Sequence, residues 1–142
     1  MAIIPDLWPE SIGRVNSGPE VVNPLEILTA QAQQLRQKTN GTVEAWVVRS
    51  SASPSAKSDD ISFAYDFVIS APALDGFRRR LFTVEFPPAF YPACLQSGAD
   101  TEAVKATDAK DFLDKLRDLL SHSSTRGLIE SLLKQSEVLR PF

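Results

Sequence analysis

The stretch ISFAYDFVIS, residues Ile61 to Ser70, constrains the fold more than any other. Ile61, Phe63, Tyr65, Phe67 and Ile69 fall on one side of a two-residue repeat; Ser62, Ala64, Asp66, Val68 and Ser70 fall on the other. That is the period of an extended strand, because successive side chains in a strand point to opposite faces. A strand with one aromatic face must bury that face, and its backbone N–H and C=O groups need strands beside it. Two neighbours are at hand. TVEAWVVRS (Thr42 to Ser50) precedes it, and RLFTVEF (Arg80 to Phe86), with Phe82, Val84 and Phe86 in phase, follows it. The first connection, SASPSAKSDD, is Ser-rich and reads as a hairpin loop; the second carries Pro72 and the turn pair Asp75-Gly76. Consecutive strands so connected predict an antiparallel meander.

Helical signals flank the strands. In NPLE, Asn23 is placed to cap, Pro24 suits the first helical position and Glu26 completes a capping-box-like arrangement. Leu25, Leu28, Ala32 and Leu35 then form one apolar stripe, Arg36 and Lys38 suit the negative end of the helix, and Asn40-Gly41 stops it. Asn40-Gly41-Thr42 also fits a glycosylation pattern, but the turn is the favoured reading. Near the other terminus Phe112, Leu116, Leu119 and Leu120 predict a helix capped by Thr107 or Asp108. SHSST interrupts it, and Leu128, Ile129, Leu132 and Leu133 predict a last helix capped by Ser123 or Ser124. The predicted class is α+β: an N-terminal helix, a three- to four-stranded antiparallel meander, a Pro-rich Tyr-Pro loop, and two C-terminal helices packed on one sheet face. Residues 1–22, with Pro5, Pro9, Gly13, Gly18 and Pro19, read as an irregular arm; its Ile3, Ile4, Leu7 and Trp8 suggest docking on this domain or on a partner. Residues 23–142 read as one domain, and 142 residues suffice to bury about 68% of the unfolded surface.

The element order and the stretch FPPAFYPACL, Phe86 to Leu95, resemble the ubiquitin-conjugating-enzyme-like superfamily, most closely its non-catalytic RWD type. Pro88, Tyr91 and Pro92, following the strand that ends at Phe86, carry the resemblance, which covers about Pro24 to Ser136. It implies that Pro87, Pro88, Tyr91 and Pro92 form a structural loop. Pro87 and Pro88 lack backbone donors and end strand pairing, and Phe90 or Tyr91 plugs the loop against the core. Conjugating enzymes have a His-Pro-Asn motif and then a catalytic Cys well beyond the Tyr-Pro turn. Neither is matched here: the one His is His122, and Cys94 stands two residues after Pro92. RWD-type members often carry a further Pro shortly after Tyr-Pro, where this chain has Ala93, Cys94 and Leu95. The resemblance therefore implies a protein-interaction module without catalytic residues.

Composition restricts the alternatives. A net charge of −3 gives no general field for nucleic acid. There is no P-loop and no Gly-rich dinucleotide fingerprint, so no cofactor is expected. One His and one Cys do not make the usual zinc set; Asp59-Asp60 is a loop pair with nothing further to hold a cation. A single Cys excludes an internal disulfide, no apolar run approaches a membrane span, and the N-terminus lacks a secretory pattern, so the expected location is cytoplasmic. Cys94 and His122 are the minimal nucleophile–base pair, but nothing in their spacing joins them, and the apolar neighbours of Cys94 favour an inert packing thiol. His122, among serines, favours a solvated or capping role. Arg78-Arg79-Arg80 reads as a solvated strand entrance or as a contact for an acidic partner or phosphate; alternation separates Arg79 from its neighbours.

Two registers are open for the strand around Trp46. If Val43, Ala45 and Val47 face the helices, Trp46 and Val48 lie on the far face and form an apolar patch with Ala64, Val68 and Leu81. The opposite register buries Trp46 but takes Glu44 with it, which strips the carboxylate of water, so the first is favoured. The partner-binding residues expected from this are Trp46, Val48, Val68 and Leu81, serving a protein partner or a homodimer through the open sheet face. Two rival classes stand beside it: a small acidic secretion-chaperone or immunity-like protein, and a thiol enzyme using Cys94.

Overall fold

The computed structural model describes residues 4, 5, 7, 22–50, 61–97 and 102–139. The chain runs α1 (Pro24–Lys38), β1 (Glu44–Arg49), β2 (Phe63–Ala71), β3 (Phe77–Phe86), β4 (Ala93–Gln96), β5 (Val104–Ala106), α2 (Ala109–Ser121) and α3 (Ser123–Leu139). The five strands form one sheet in sequence order, each antiparallel to the next. The α+β architecture is thus the expected one, with more strands than expected. β4 grows directly out of the Pro-rich stretch, and β5 is three residues long, too short to show a period of its own.

The helix ends follow the chemistry read from the sequence. Asn23 caps α1, its Oδ1 accepting the Leu25 N–H at 2.9 Å. At the other end Gly41 N–H donates to Arg36 O and Asn40 N–H to Gln37 O, a Schellman closure with Asn40 at φ 52° and Gly41 at φ 80°. Asp108 caps α2 by accepting the Asp111 N–H at 2.8 Å. The cap of α3 differs from the expectation. His122, the last residue of the α2 corner, accepts the Ser124 N–H on Nδ1 at 3.2 Å, so the ring does the work assigned to Ser123 or Ser124. The β2–β3 turn carries Asp75 and Gly76 at φ 54° and 72°, the two positive values that a tight hairpin turn requires. The Ser51–Asp60 connection, with Asp59-Asp60, lies outside the described residues, as does most of the 1–22 arm. Ile4 and Leu7 of that arm are exposed at 87% and 84%.

All three helices lie against one face of the sheet. Val43 and the odd-numbered residues of β2 supply that face: Phe67, Ile69 and Ala71 are buried with Phe82, Val84 and Phe86 of β3 and Leu95 of β4. Leu28 and Ala32 of α1, Phe112 and Leu116 of α2 and Leu132 of α3 close over them. Phe67 and Phe82 sit opposite each other in register and stack with ring centres 5.1 Å apart and planes 4° from parallel. Such a pair adds about 0.5–1.5 kcal/mol beyond its buried area.

One irregularity matters for function. Phe67 pairs with Phe82, but the next residue, Val68, pairs with Arg80, so Leu81 is an extra residue in a β-bulge. The bulge takes Leu81 out of phase and reverses the faces expected for Arg78 to Arg80, which then alternate regularly against β2.

Candidate functional site

The Pro-rich stretch is structural. β3 stops at Phe86, Phe90 N–H donates to Pro87 O at 2.8 Å to make a turn, and the Tyr91–Pro92 peptide is cis. Phe90, at φ 77°, packs its ring on Phe86 with centres 6.2 Å apart. Tyr91 sets its ring edge-on to Phe112 at 6.3 Å and donates its hydroxyl to Val22 O at 2.6 Å. Both aromatics therefore plug the loop, and Tyr91 joins it to α2 and to the start of α1. Burial raises the Tyr91 phenol above its ordinary value, and the Asp108 carboxylate raises it further.

The face away from the helices is covered by no described element. In register, Glu44, Trp46 and Val48 of β1 lie opposite Ser70, Val68 and Asp66 of β2. Trp46 is therefore outside, 45% exposed, and its indole N–H donates to Ser70 Oγ at 3.0 Å. That contact lays the ring across the strand and leaves Ser70 only 8% exposed although it is on the open side. Val48 and Val68 flank the indole, Ala64 lies farther along β2, and Thr83 donates to Asp66 Oδ1 at 2.6 Å beside them. Three of the four residues expected on this face are brought together: Trp46, Val48 and Val68. Leu81 is not. The bulge points it to the helix side, where it packs against the core and lines a cleft with Leu35, Phe67, Leu120 and Ile129. Strict alternation cannot foresee this, because a bulge inserts one residue and reverses the phase beyond it.

The open face is ringed by charge of both signs. Asp66 and Glu85 share it with Arg78, Arg80 and Lys105, while Glu44, at the edge of β1, is drawn to Arg36 of α1 at 3.6 Å. Cys94 is also there, half-buried, between Glu85 of β3 and Lys105 of β5. Its apolar sequence neighbours, Ala93 and Leu95, point the other way into the core, so the surroundings of the thiol are more polar than the local sequence suggests. His122 stands at the α2–α3 corner on the helix side, so the sheet separates it from Cys94 and the two do not form a nucleophile–base pair.

No family model matches this chain, and neither a curated protein nor a solved structure does.

Among the described residues no three or more His, Cys, Asp or Glu side chains converge as a metal site would require, and no helix is long and apolar enough to cross a membrane. One further feature has no counterpart in any local sequence pattern: a cavity beside Arg79 and Arg80, bounded by the α2–α3 corner.

Proposed function

We propose that this protein is a non-catalytic, cytoplasmic interaction module that pairs with a second copy of itself through the open face of its sheet. The observation that carries the reading is Trp46: an aromatic ring, 45% exposed, held in a fixed pose by Ser70 and flanked by Val48 and Val68 on a face no described element covers. Aromatic anchors surrounded by polar groups are the usual make-up of association sites, and a rigid ring gives up little entropy when it docks. The rim favours a like partner. Two acidic side chains, Asp66 and Glu85, and three basic ones, Arg78, Arg80 and Lys105, share the face, so a two-fold rotation can set acids against bases. Strands about 4.8 Å apart give a face roughly 20 Å across, about 30 Å long at β2 and β3 and tapering to about 10 Å at the three-residue β5, which suits the low end of specific interfaces. The resemblance to the RWD type, in which interaction replaces chemistry, fits the absence of a His-Pro-Asn motif and the position of Cys94.

Sedimentation of the wild type over a concentration series tests this. A monomer–dimer equilibrium that Trp46→Ala abolishes, with the amide spectrum of the fold unchanged, is the expected result. A wild type that stays monomeric at hundreds of micromolar, or a Trp46→Ala protein that dimerises equally well, overturns the reading.

A further inference from the structure

A cavity of about 370 Å³ opens where the bulged end of β3 meets the corner between α2 and α3. Its floor is apolar, made by Leu81, Phe82, Leu119 and Leu128. Its walls carry hydrogen-bond donors: Arg79, Arg80, His122, Ser124 and Thr125. In a chain with 18 acidic residues and a net charge of −3, no described carboxylate lines it. Neither Arg79 nor Arg80 forms an ion pair with any described residue. The register sets Arg80 opposite Val68 and Arg79 opposite Ile69, so the two alternate across β3, and both border this space at the strand margin. His122 adds to this. Its Nδ1 accepts the Ser124 N–H, which leaves the proton of the neutral ring on Nε2 as a donor.

We propose that this cavity binds a small amphiphilic oxyanion, a phosphate group on a compact apolar body. Guanidinium groups pair with phosphate through parallel charge-assisted hydrogen bonds; Arg79, on the helix side of β3, and Arg80, at its margin, have no ion-pair partner among the described residues and supply the charge. The Thr125 hydroxyl offers a further donor, that of Ser124 being engaged with His122 Nδ1 at 2.8 Å, and the apolar floor takes the body of the ligand. The site lies at the sheet margin and contains none of Trp46, Val48 and Val68; Arg80 alone borders both it and the open face.

The test is an amide-detected NMR titration of the full chain with phenyl phosphate and with inorganic phosphate, ionic strength being held constant with sodium chloride. The expected result is saturable shifts confined to residues 79–82 and 119–128, with phenyl phosphate binding about tenfold tighter than inorganic phosphate because its ring covers the floor. Arg79→Gln and Arg80→Gln each weaken binding by about tenfold. Lys134→Gln, farther along α3, leaves it unchanged, and so does Trp46→Ala. Shifts that sodium chloride alone reproduces, affinities that survive both arginine substitutions, or phenyl phosphate binding no tighter than inorganic phosphate each overturn the proposal.

Discussion

The Tyr91 hydroxyl donates a 2.6 Å hydrogen bond to the carbonyl of Val22, 69 residues earlier in the chain. With its ring edge on Phe112, this one side chain ties the entry to α1, the loop after β3 and the first turn of α2. Tyr91→Phe keeps the ring contact and loses the bond, so urea denaturation is expected to show a loss of about 1 kcal/mol. Tyr91→Ala loses both, and the expected loss is about 3 kcal/mol.

The raised phenol of Tyr91 also predicts a pH dependence. Its folded-state value lies above the ordinary 10.0, so the folded chain holds the proton more tightly than the unfolded chain. The resulting stabilisation is full below the ordinary value and fades as pH rises through the folded one. Denaturation midpoints measured from neutral to alkaline pH should fall more steeply for the wild type than for Tyr91→Phe. Equal slopes refute the assignment.

Asp111 predicts the opposite limb. Its carboxylate accepts the Thr107 N–H at 3.0 Å and the Lys115 ammonium at 3.1 Å, and these contacts, the backbone one first, hold it below its ordinary 3.8. A depressed carboxylate stabilises the fold above its unfolded value, and that contribution disappears as pH falls through the folded one. Asp111→Asn is therefore expected to lower the thermal midpoint at neutral pH and to match the wild type once both are measured in strong acid.

Much of the fold was legible because it rests on short-range rules. The alternation of Phe63 to Ile69 sets the inner face, and Trp46 lies outside as expected, although the Glu44 side chain is itself only 18% exposed, paired with Arg36. Asn23, Asp108 and Asn40-Gly41 marked helix ends by the bonds their own atoms make. What was not legible depends on contacts between distant segments. Leu81 looked like an open-face residue until the pairing of Val68 with Arg80 revealed the bulge. Ala93 to Gln96 looked like loop because four residues behind Tyr91-Pro92 give no period, yet they pair with Thr83 to Glu85. The cavity joins the ends of three elements that no local pattern connects.

The two sides of the sheet should respond differently to substitution. Leu81 packs under the helices, so Leu81→Ala is expected to destabilise by about 2 kcal/mol with no effect on association. Trp46 is half exposed on the other side, so Trp46→Ala should cost less stability than Leu81→Ala and abolish dimer formation. Chemical denaturation and sedimentation of the two proteins, read together, separate the roles; the reverse pattern would place the association surface on the helix side.

Cys94 offers a probe that needs no substitution. It is half-buried on the open face, between Glu85 and Lys105 and in the same sheet layer as Trp46. If two copies close over that face, alkylation of the thiol by iodoacetamide must compete with dissociation. The labelling rate per molecule is then expected to fall as the protein is concentrated, and Trp46→Ala should remove that dependence while leaving the rate at high dilution unchanged. A thiol enzyme predicts something else: rapid labelling near neutral pH that is independent of concentration. A rate that is concentration-independent in both proteins would rule out the face as the dimer contact, because the thiol lies inside the charged ring that a second copy has to cover.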